Sequence, residues 1–179
     1  YMKNTLVKGN PHDPTRLPKE QETYALLDSL GIGYERVDHD AVATIEACLD
    51  IENILGTEIC KNLFLRNSNS SKYYLLLMPG MKQFKTKVLS AEIGSTRLSF
   101  AGEAEMLEYL NITPGSVSVL GLAYDKGNNV ELLIDRDVLA CEYLGCHPCI
   151  NTSSLKIKTS DITEKFLPAI GHTYKEVTL

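Results

Sequence analysis

The segment Cys141–Ser154 reads CEYLGCHPCINTSS and lies between two short apolar runs, Val130–Ile134 and Leu155–Ile157. Both runs have the length and composition of strands, so the segment is predicted to be a loop that joins core strands. A loop that carries a histidine, an asparagine, hydroxyls and thiols is a common place for function. Pro148 fixes its own φ and favours an extended backbone at His147, which would hold the imidazole on a stiff segment. We therefore predict that this loop forms one wall of a pocket.

The size and composition of the chain limit what it can be. With 179 residues, 44% hydrophobic and 23% charged, it can bury one proper core and is typical of a soluble globular protein. Its apolar runs are too short to span a bilayer, and residues 1–10 lack the layout of a signal peptide. The 5 cysteines have no regular spacing and favour reduced thiols over a disulfide framework. We predict a cytoplasmic protein without a membrane partner.

The charge of the chain bears on nucleic-acid binding. A net charge of −5 argues against a protein that coats nucleic acid through a broad basic face. A local patch could still hold one end of an RNA, and the candidate is Lys82, Lys85 and Lys87 in MKQFKTK, with Arg97 further on. A solvent-exposed helix face explains the same lysines, so both interpretations stay open.

Hydrophobic periodicity and turn residues predict alternating helices and strands. Helices are predicted from Pro18 to Gly31, from Thr44 to about Asn53 with Gly56 closing it, from Phe84 to Gly94, over Glu103–Leu110, and from a Ser160 cap to Gly171. Strands are predicted at Tyr34–Val37, Asn62–Arg66, Tyr73–Met78 and Arg97–Phe100, and a hairpin turn at Asp125–Asn129 would join Val117–Leu122 to Val130–Ile134. Residues 1–16 are predicted to be an extended lead-in, and residues 17–179 a single α+β domain with a mixed, strongly curved sheet.

Several catalytic layouts are missing from the sequence, and one weak motif is present. There is no G-x-S-x-G elbow, no G-x-x-x-x-G-K-[ST] phosphate loop and no H-E-x-x-H. Cys146-His147-Pro148-Cys149 is a C-x-x-C, which supports disulfide exchange at a helix N-terminus or, with Cys141, a zinc site. The motif leads into a predicted strand instead of a helix, and a second C-x-x-C is missing. Semi-buried thiols in a loop explain it better than either chemistry.

Lys61 and His147 are the candidate reactive groups, and each also has an ordinary explanation. Lys61 begins the apolar strand Asn62-Leu63-Phe64-Leu65, where a lysine commonly extends its ammonium to the surface. His147 alone could be a core histidine with a satisfied ring. Thr44 precedes a helical pattern and has the residue type of an N-cap. We predict that Lys61 is the charge across the pocket from His147.

Five stretches occur in the order and spacing of one known family. They are HDAVATIEA (39–47), KNLFLR (61–66), TRLSFAGEAEM (96–106), TPGSVSVLGL (113–122) and GCHPCINTSSLKI (145–157). Together they resemble the YbaK-like prolyl-tRNA editing proteins, most closely the free-standing ProX type, over about residues 20–178.

The resemblance implies a compact α+β fold with a barrel-like mixed sheet and surrounding helices. It implies an enzyme that hydrolyses the ester of a mischarged tRNA, typically alanyl-tRNA(Pro) for the ProX type and cysteinyl-tRNA(Pro) for the YbaK type. It gives catalytic roles to Lys61 and His147. The substrate-binding residues that it implies are Thr44, Asn62, Ser99, Gly115, Ser116, Val117, Ser118 and Asn151. It implies no metal or other cofactor, and its partner is the acceptor end of tRNA(Pro), with prolyl-tRNA synthetase as a second candidate.

Three positions depart from the family pattern. Val119 stands four residues after Gly115, where the family's loop usually has proline, and Asp40 follows His39 where proline is common. Lys85 occupies a position that is often acidic. The change at Val119 affects how the loop would close over the aminoacyl group, so we expect substrate preference to differ before activity does.

The chemistry of the implied reaction requires little of the protein. An aminoacyl ester is labile because the ribose oxygen is a good leaving group, so hydrolysis needs a positioned water and oxyanion donors instead of a covalent nucleophile. A trans-editing deacylase acting on alanyl-tRNA(Pro) is the leading hypothesis. The alternatives are a deacylase for cysteinyl-tRNA(Pro) or another small aminoacyl-tRNA, a non-catalytic module that binds tRNA ends or a synthetase, and a C-x-x-C thiol or zinc protein.

Overall fold

The computed structural model of the chain describes residues 2–42 and 44–179. Tyr1, the first residue of the predicted lead-in, and Ala43, within the first family-like motif, lie outside the described residues. The strands are β1 (Leu6–Lys8), β2 (Tyr34–Asp38), β3 (Lys61–Arg66), β4 (Tyr73–Met78), β5 (Ser99–Phe100), β6 (Val130–Asp135), β7 (Tyr143–Cys146), β8 (Ser153–Lys158) and β9 (Tyr174–Val177). The helices are α1 (Pro18–Ser29), α2 (Ile45–Leu55), α3 (Thr86–Ile93), α4 (Glu103–Leu110), α5 (Arg136–Leu139), α6 (Thr159–Asp161) and α7 (Leu167–Ala169), with a 3-10 helix at Val119–Tyr124 and a π-helical turn at Ile162–Phe166.

The α+β class is confirmed, and the described strands divide into two sheets that do not close into a barrel. One sheet has the order β1-β2-β8-β7 and the other the order β5-β3-β4-β6-β9. β3 and β4 pair antiparallel with Lys61 opposite Met78, which confirms the predicted hairpin. β6 lies parallel to β4 on one side and to β9 on the other. Two connected sheets give the curvature that a single bent sheet was predicted to have.

The second predicted hairpin is wrong. The apolar run that was expected to pair with β6 forms the 3-10 helix Val119–Tyr124, and β6 pairs with β4 instead. Ser118 caps this helix by accepting the N–H of Leu120 at 3.1 Å. Gly121 packs so closely on α4 that an added Cβ would lie 3.0 Å from the carbonyl oxygen of Leu110. A short apolar run is buried here by helix packing, which sequence periodicity does not distinguish from strand pairing.

The segment from residue 141 to 154 is part strand and part loop. Its first half forms β7, because Leu144 and Cys146 alternate toward the main core and are buried. β7 pairs antiparallel with β8, so residues 147–152 connect two neighbouring strands of one sheet. The prediction of a single loop between strands was therefore correct only for these residues.

The last helical region also differs from its prediction. α6 begins at Thr159 with Lys158 at the N-cap and no capping side chain, so the expected Ser160 cap is wrong. The π-helical turn comes immediately before α7, whose Pro168 has no N–H to donate to the preceding turn. The predicted core residues Ile162 and Phe166 are buried, which confirms the apolar face of this region.

The main core lies between the two sheets and includes residues of α1, α4 and the 3-10 helix. Its members include Tyr24, Leu27, Phe64, Leu75, Leu110, Leu120, Leu132 and Leu155. α3 covers the outer face of the five-stranded sheet through a second apolar cluster, and α2 covers the outer face of the other sheet through a third. No helix among residues 2–42 and 44–179 has the length and apolar character that a membrane span requires.

The N-terminal residues contribute to the four-stranded sheet. β1 pairs antiparallel with β2, with Leu6 opposite Val37. Arg16 then forms ion pairs with Glu20 at 2.7 Å and with Asp38 at 3.0 Å. Asp38 also accepts hydrogen bonds from Arg36 and from the Ser153 hydroxyl. The segment predicted as a lead-in is thus tied to β2 and β8 by strand pairing and by a buried ionic cluster.

Candidate active site

The two sheets meet at a single parallel bridge between Ile59 and Gly145. Gly145 donates its N–H to the carbonyl of Glu58 at 3.1 Å and accepts the N–H of Cys60 at 3.0 Å. An added Cβ on Gly145 would lie 2.8 Å from the Glu58 oxygen, so only glycine fits this contact. The junction therefore depends on a close backbone approach, and it fixes how β3 is placed against the end of β7.

This bridge brings the two predicted catalytic residues into one neighbourhood. Lys61 and His147 each follow a bridge partner by two residues, on segments that run in the same direction. Because side chains alternate along an extended backbone, both side chains are directed to the same face of the junction as Ile59. That is the outer face, which α2 and α3 flank.

Lys61 is half-buried, and its ammonium has a neutral partner. Its Nζ donates to the backbone carbonyl of Lys82 at 2.5 Å. Within the described chain it forms no ion pair with a carboxylate. A carbonyl orients the ammonium without neutralising its charge, so Lys61 keeps a full positive charge for a phosphate or an ester oxygen.

His147 is half-buried and is held by its Nδ1 nitrogen. Nδ1 lies 2.9 Å from the carbonyl oxygen of Ser153 and 3.4 Å from the hydroxyl of Ser154. A carbonyl can only accept, so Nδ1 carries the proton and Nε2 keeps its lone pair. In the described residues Nε2 has no hydrogen-bond partner. Burial lowers the pKa of His147, so the ring is neutral at pH 7 and Nε2 is an acceptor.

A second histidine lies beside the first. His39 has its ring centroid 6.3 Å from that of His147. Its Nδ1 donates to the Asp40 carbonyl at 2.7 Å, and its Nε2 accepts from the Ser154 hydroxyl at 2.8 Å. Burial also lowers the pKa of His39. The Ser154 hydroxyl therefore connects two neutral rings, an arrangement that sequence reasoning missed because the pairing of β2 with β8 was not predicted.

The predicted glycine loop approaches the junction from the other side. Thr113 accepts the N–H of Ser116 at 3.0 Å in a turn that places Gly115 at φ +85°. Ser116 and Ser118 are buried, and Val117 packs against the main core. In the described chain the N–H groups of Val117 and Ser118 donate to no protein acceptor. These two unpartnered amides are the candidate donors for a developing oxyanion.

Asn62 connects this loop to the strand that begins with Lys61. Its Oδ1 accepts the N–H of Val119 at 3.0 Å, and its Nδ2 donates to the Cys60 carbonyl at 3.1 Å. Asn151 lies at the other end of the loop, where its Nδ2 would be 3.6 Å from a Cβ added to Gly115. The loop is thus positioned by β3 on one side and by the segment 147–152 on the other.

Two cavities flank these elements. A cavity of about 580 Å³ is lined by Thr113, Ser116, Asn151, Thr152 and residues near the start of α1 such as Lys19. Another, of about 940 Å³, contains Lys61 and lies between β3, β5 and α3. Neither cavity contains both Lys61 and His147. The lining of the two cavities therefore does not show the shared pocket that was predicted for Lys61 and His147.

One of the predicted substrate-binding residues lies away from the junction. Ser99 is opposite Arg66 at the far end of β3, about 17 Å along the strand from Lys61 at ~3.3 Å per residue. Thr44 is exposed at the N-cap of α2, where its side chain accepts the N–H of Ala47 at 3.1 Å. The structure brings Asn62, the glycine loop and Asn151 together, but it does not bring Ser99 to them.

The C-x-x-C thiols are buried and are not activated. Cys146 and Cys149 are 1% and 0% exposed. Burial raises the pKa of Cys146 well above its ordinary range and raises that of Cys149 to about 11. The motif is followed by β8 instead of a helix, and no group of three or more His, Cys, Asp or Glu in the described residues is arranged to hold a metal ion. The geometry therefore gives no support to thiol chemistry at this motif.

Comparison with known proteins places the chain in a family. Residues 39–165 match the model of the aminoacyl-tRNA editing domain. The chain is 36% identical over 162 residues to the prolyl-tRNA editing protein ProX of Acetoanaerobium sticklandii, covering 89% of this chain and 97% of that protein. It is 32% identical over 151 residues to the mouse (Mus musculus) prolyl-tRNA synthetase associated domain-containing protein 1, covering 82% and 88%.

A solved structure has the same fold. It is described as a proposed trans-editing enzyme for prolyl tRNA synthetase, with a TM-score of 0.66, 15% identity, and coverage of 92% of this chain and 99% of that chain. The chain therefore belongs to the aminoacyl-tRNA editing domain family, as the resemblance predicted, and is an enzyme of the aminoacyl-tRNA deacylase class.

Proposed function

We propose that the chain hydrolyses the ester of mischarged tRNA(Pro) in trans, with alanyl-tRNA(Pro) as its main substrate and water as the nucleophile. The observation that carries this proposal is the Ile59–Gly145 bridge, since Lys61 and His147 each follow a bridge partner by two residues. Asn62, next to Lys61, connects the same strand to the glycine loop. The ProX relative is named for prolyl-tRNA editing and supports the choice of tRNA.

Each group of the junction has a role in this reaction. The Lys61 ammonium pairs with the terminal phosphate or the ester oxygen, which suits a compact cation. The His147 Nε2 accepts a proton from the attacking water or from a ribose hydroxyl, and so orients that group. The N–H groups of Val117 and Ser118 donate to the oxyanion that forms as water adds to the carbonyl carbon. One such donor is typically worth about 3–4 kcal/mol of transition-state stabilisation.

A water nucleophile is consistent with the side chains at the junction. The nearest thiols, Cys60 and Cys146, have pKa values that burial raises to about 12 for Cys60 and higher for Cys146, so neither is a thiolate at neutral pH. The Ser118 hydroxyl is used to cap the 3-10 helix. The acyl group is therefore transferred directly to water, and the leaving group is the terminal ribose oxygen.

The selectivity has a steric reason. A synthetase site that fits proline cannot strongly reject the smaller alanine, because each lost methylene is worth only about 1–3 kcal/mol. A second site that admits alanine and excludes proline corrects this error. Since Val119 stands where the family usually has proline, cysteinyl-tRNA(Pro) is the competing substrate that must be compared directly.

The decisive experiment is a deacylation panel. The purified chain is incubated with alanyl-, cysteinyl- and seryl-tRNA(Pro), and with prolyl-tRNA(Pro) as the correct product. Alanine should be released fastest and proline should remain attached. Intact esters throughout the panel would contradict the proposal and favour a non-catalytic module that binds tRNA ends.

A further inference from the structure

Apart from Lys61 itself, the side chains that line the cavity beside Lys61 have no role in the proposed reaction. Its volume is about 940 Å³, and its apolar wall consists of Leu63, Phe84, Val88 and Phe100. Phe100 is 58% exposed and Val88 44% exposed, so two large apolar side chains are accessible within one cavity. The residues that line it include three lysines, Lys61, Lys85 and Lys87, and no carboxylate.

The two aromatic rings form a platform instead of part of the core. Phe84 packs against the apolar cluster under α3, and Phe100 stands beside it with the ring centroids 6.0 Å apart and the planes at 66°. Phe84 therefore holds Phe100, while most of the Phe100 ring remains accessible. An exposed ring next to cations is the arrangement on which nucleic-acid bases stack in single-strand binding proteins.

The lysines of this cavity are not neutralised. Lys85 and Lys87 are exposed, and neither forms an ion pair with a described residue. Lys82, from the same run of sequence, instead pairs with Asp135 and Asp137 at 2.8 Å each. Lys82 thus has a structural role in ion pairs, whereas Lys85 and Lys87 line the cavity. Although the net charge of the chain is −5, the lining of this cavity is positively charged, which favours binding of a polyanion.

We infer that this cavity binds the single-stranded 3′ end of the tRNA, namely the unpaired nucleotides that precede the terminal adenosine. A base stacks on Phe100, and the backbone phosphates pair with Lys85 and Lys87. This inference rests on the proposed function, since it takes Lys61 as the residue that receives the terminal nucleotide. Phe100 is opposite Leu65 in the β5–β3 register, which is about 13 Å along β3 from Lys61. That separation assigns Phe100 to a nucleotide before the last one.

The test measures binding of uncharged tRNA, so its result does not depend on ester hydrolysis. Fluorescence anisotropy is recorded with an intact tRNA and with the same tRNA trimmed of its unpaired 3′ nucleotides. Phe100→Ala should weaken binding of the intact tRNA about tenfold, because base–aromatic stacking is lost, and Phe100→Tyr should restore it. Leu107→Ala is the matched control, because Leu107 is 57% exposed on α4.

The lysines are tested by salt dependence. Replacing Lys85 and Lys87 together by Gln should reduce the slope of log Kd against log salt by about 1.4, since each phosphate contact to a single strand contributes about 0.7. Phe100→Ala should leave that slope as it is in the wild type. Lys126→Gln, in the exposed turn before β6, is the control and should change neither the slope nor the affinity.

Two results would overturn this inference. One is equal affinity of the wild type for the intact and the trimmed tRNA. The other is wild-type RNA binding by both Phe100→Ala and the double lysine variant, which would leave the cavity to a protein partner. A failure of the proposed function would look different. A chain that binds RNA in this cavity but releases no amino acid would contradict the proposed hydrolysis and leave the binding inference intact.

Discussion

The Oδ1 atom of Asn62 accepts a hydrogen bond from the backbone N–H of Val119 at 3.0 Å. This contact joins residues that are far apart in the chain, and it connects the strand of Lys61 to the loop that would hold the oxyanion. Val119 is fully buried, so if Asn62 were removed, water could not replace it as the acceptor of the Val119 N–H. On the β3 side, the position of the loop relative to Lys61 therefore depends on this one side chain.

Replacing Asn62 with alanine should lower kcat by up to about 100-fold, because a small displacement of the loop misplaces its donors. The unpaired Val119 N–H should also cost about 1–3 kcal/mol of unfolding free energy. Single-turnover deacylation and urea unfolding measure the two effects. Asn69→Ala, which removes an exposed asparagine from the β3–β4 turn, should affect neither. A wild-type rate for Asn62→Ala would separate the loop from catalysis.

Replacing Lys61 with alanine should reduce kcat by about 10²–10³-fold, which is the usual effect of losing one electrostatic contact to the transition state. Lys61→Arg should recover little of this, because a planar guanidinium does not reproduce the compact ammonium that the Lys82 carbonyl holds. Lys72→Ala, at the other end of the β3–β4 hairpin, is the control. Wild-type deacylation by Lys61→Ala would remove Lys61 from the mechanism.

The pH dependence of the reaction should show one acidic limb that belongs to His147. Burial lowers its pKa below the ordinary value of 6.5, so the ring is neutral above that pH, and kcat should fall as pH decreases and Nε2 becomes protonated. His147→Gln should lower the rate and remove this limb. His12→Gln, at an exposed histidine, should keep it. An acidic limb that persists in His147→Gln would assign the titration to another group.

The ionic cluster at Asp38 should make stability sensitive to acid. Burial by itself would raise the pKa of Asp38, but hydrogen bonds from Arg16, Arg36 and Ser153 outweigh it and lower the pKa to about 2. A depressed carboxyl pKa stabilises the fold above the unfolded value of about 3.9, and that contribution is lost as pH falls toward 2.

Asp38→Ala should therefore cost about 3–5 kcal/mol near neutral pH, because it removes the buried carboxylate that pairs with both Arg16 and Arg36. Asp40→Ala removes an exposed ion pair with Lys3 and should cost less than about 1 kcal/mol. Urea unfolding at pH 7 and at pH 3 compares the two variants. Equal losses for both would show that the buried cluster does not stabilise the fold.

The buried thiols should be unreactive and unnecessary for deacylation. Cys141 is exposed and should react first with a thiol reagent, whereas Cys146 and Cys149 should react only when the chain unfolds. The double change Cys146→Ala and Cys149→Ala should keep the rate per folded molecule, which circular dichroism and a deacylation assay determine together. Loss of activity in a folded double variant would return the thiol alternative to consideration.

Local sequence patterns predicted many of the elements correctly, because each depends on residues close in the chain. The β3–β4 hairpin follows from two apolar strands around a polar turn. α2 is capped by Thr44 and ends before Gly56 at φ +76°, as its capping residues predicted. The Val117–Leu122 strand was wrong because burial against α4 made the run a 3-10 helix, and the Ser160 cap was wrong because α6 already begins at Thr159.

The sequence by itself predicted which residues would carry the chemistry, because Lys61, His147 and the glycine loop stand in motifs whose order resembles that of one family. Only the tertiary structure decided how they meet. The Ile59–Gly145 bridge, the Asn62–Val119 bond and the His39–Ser154–His147 contacts all join segments that no local pattern connects. The physical reason is that such contacts form only when the two sheets pack on a common core. That packing sets the distances between segments that are far apart in the sequence.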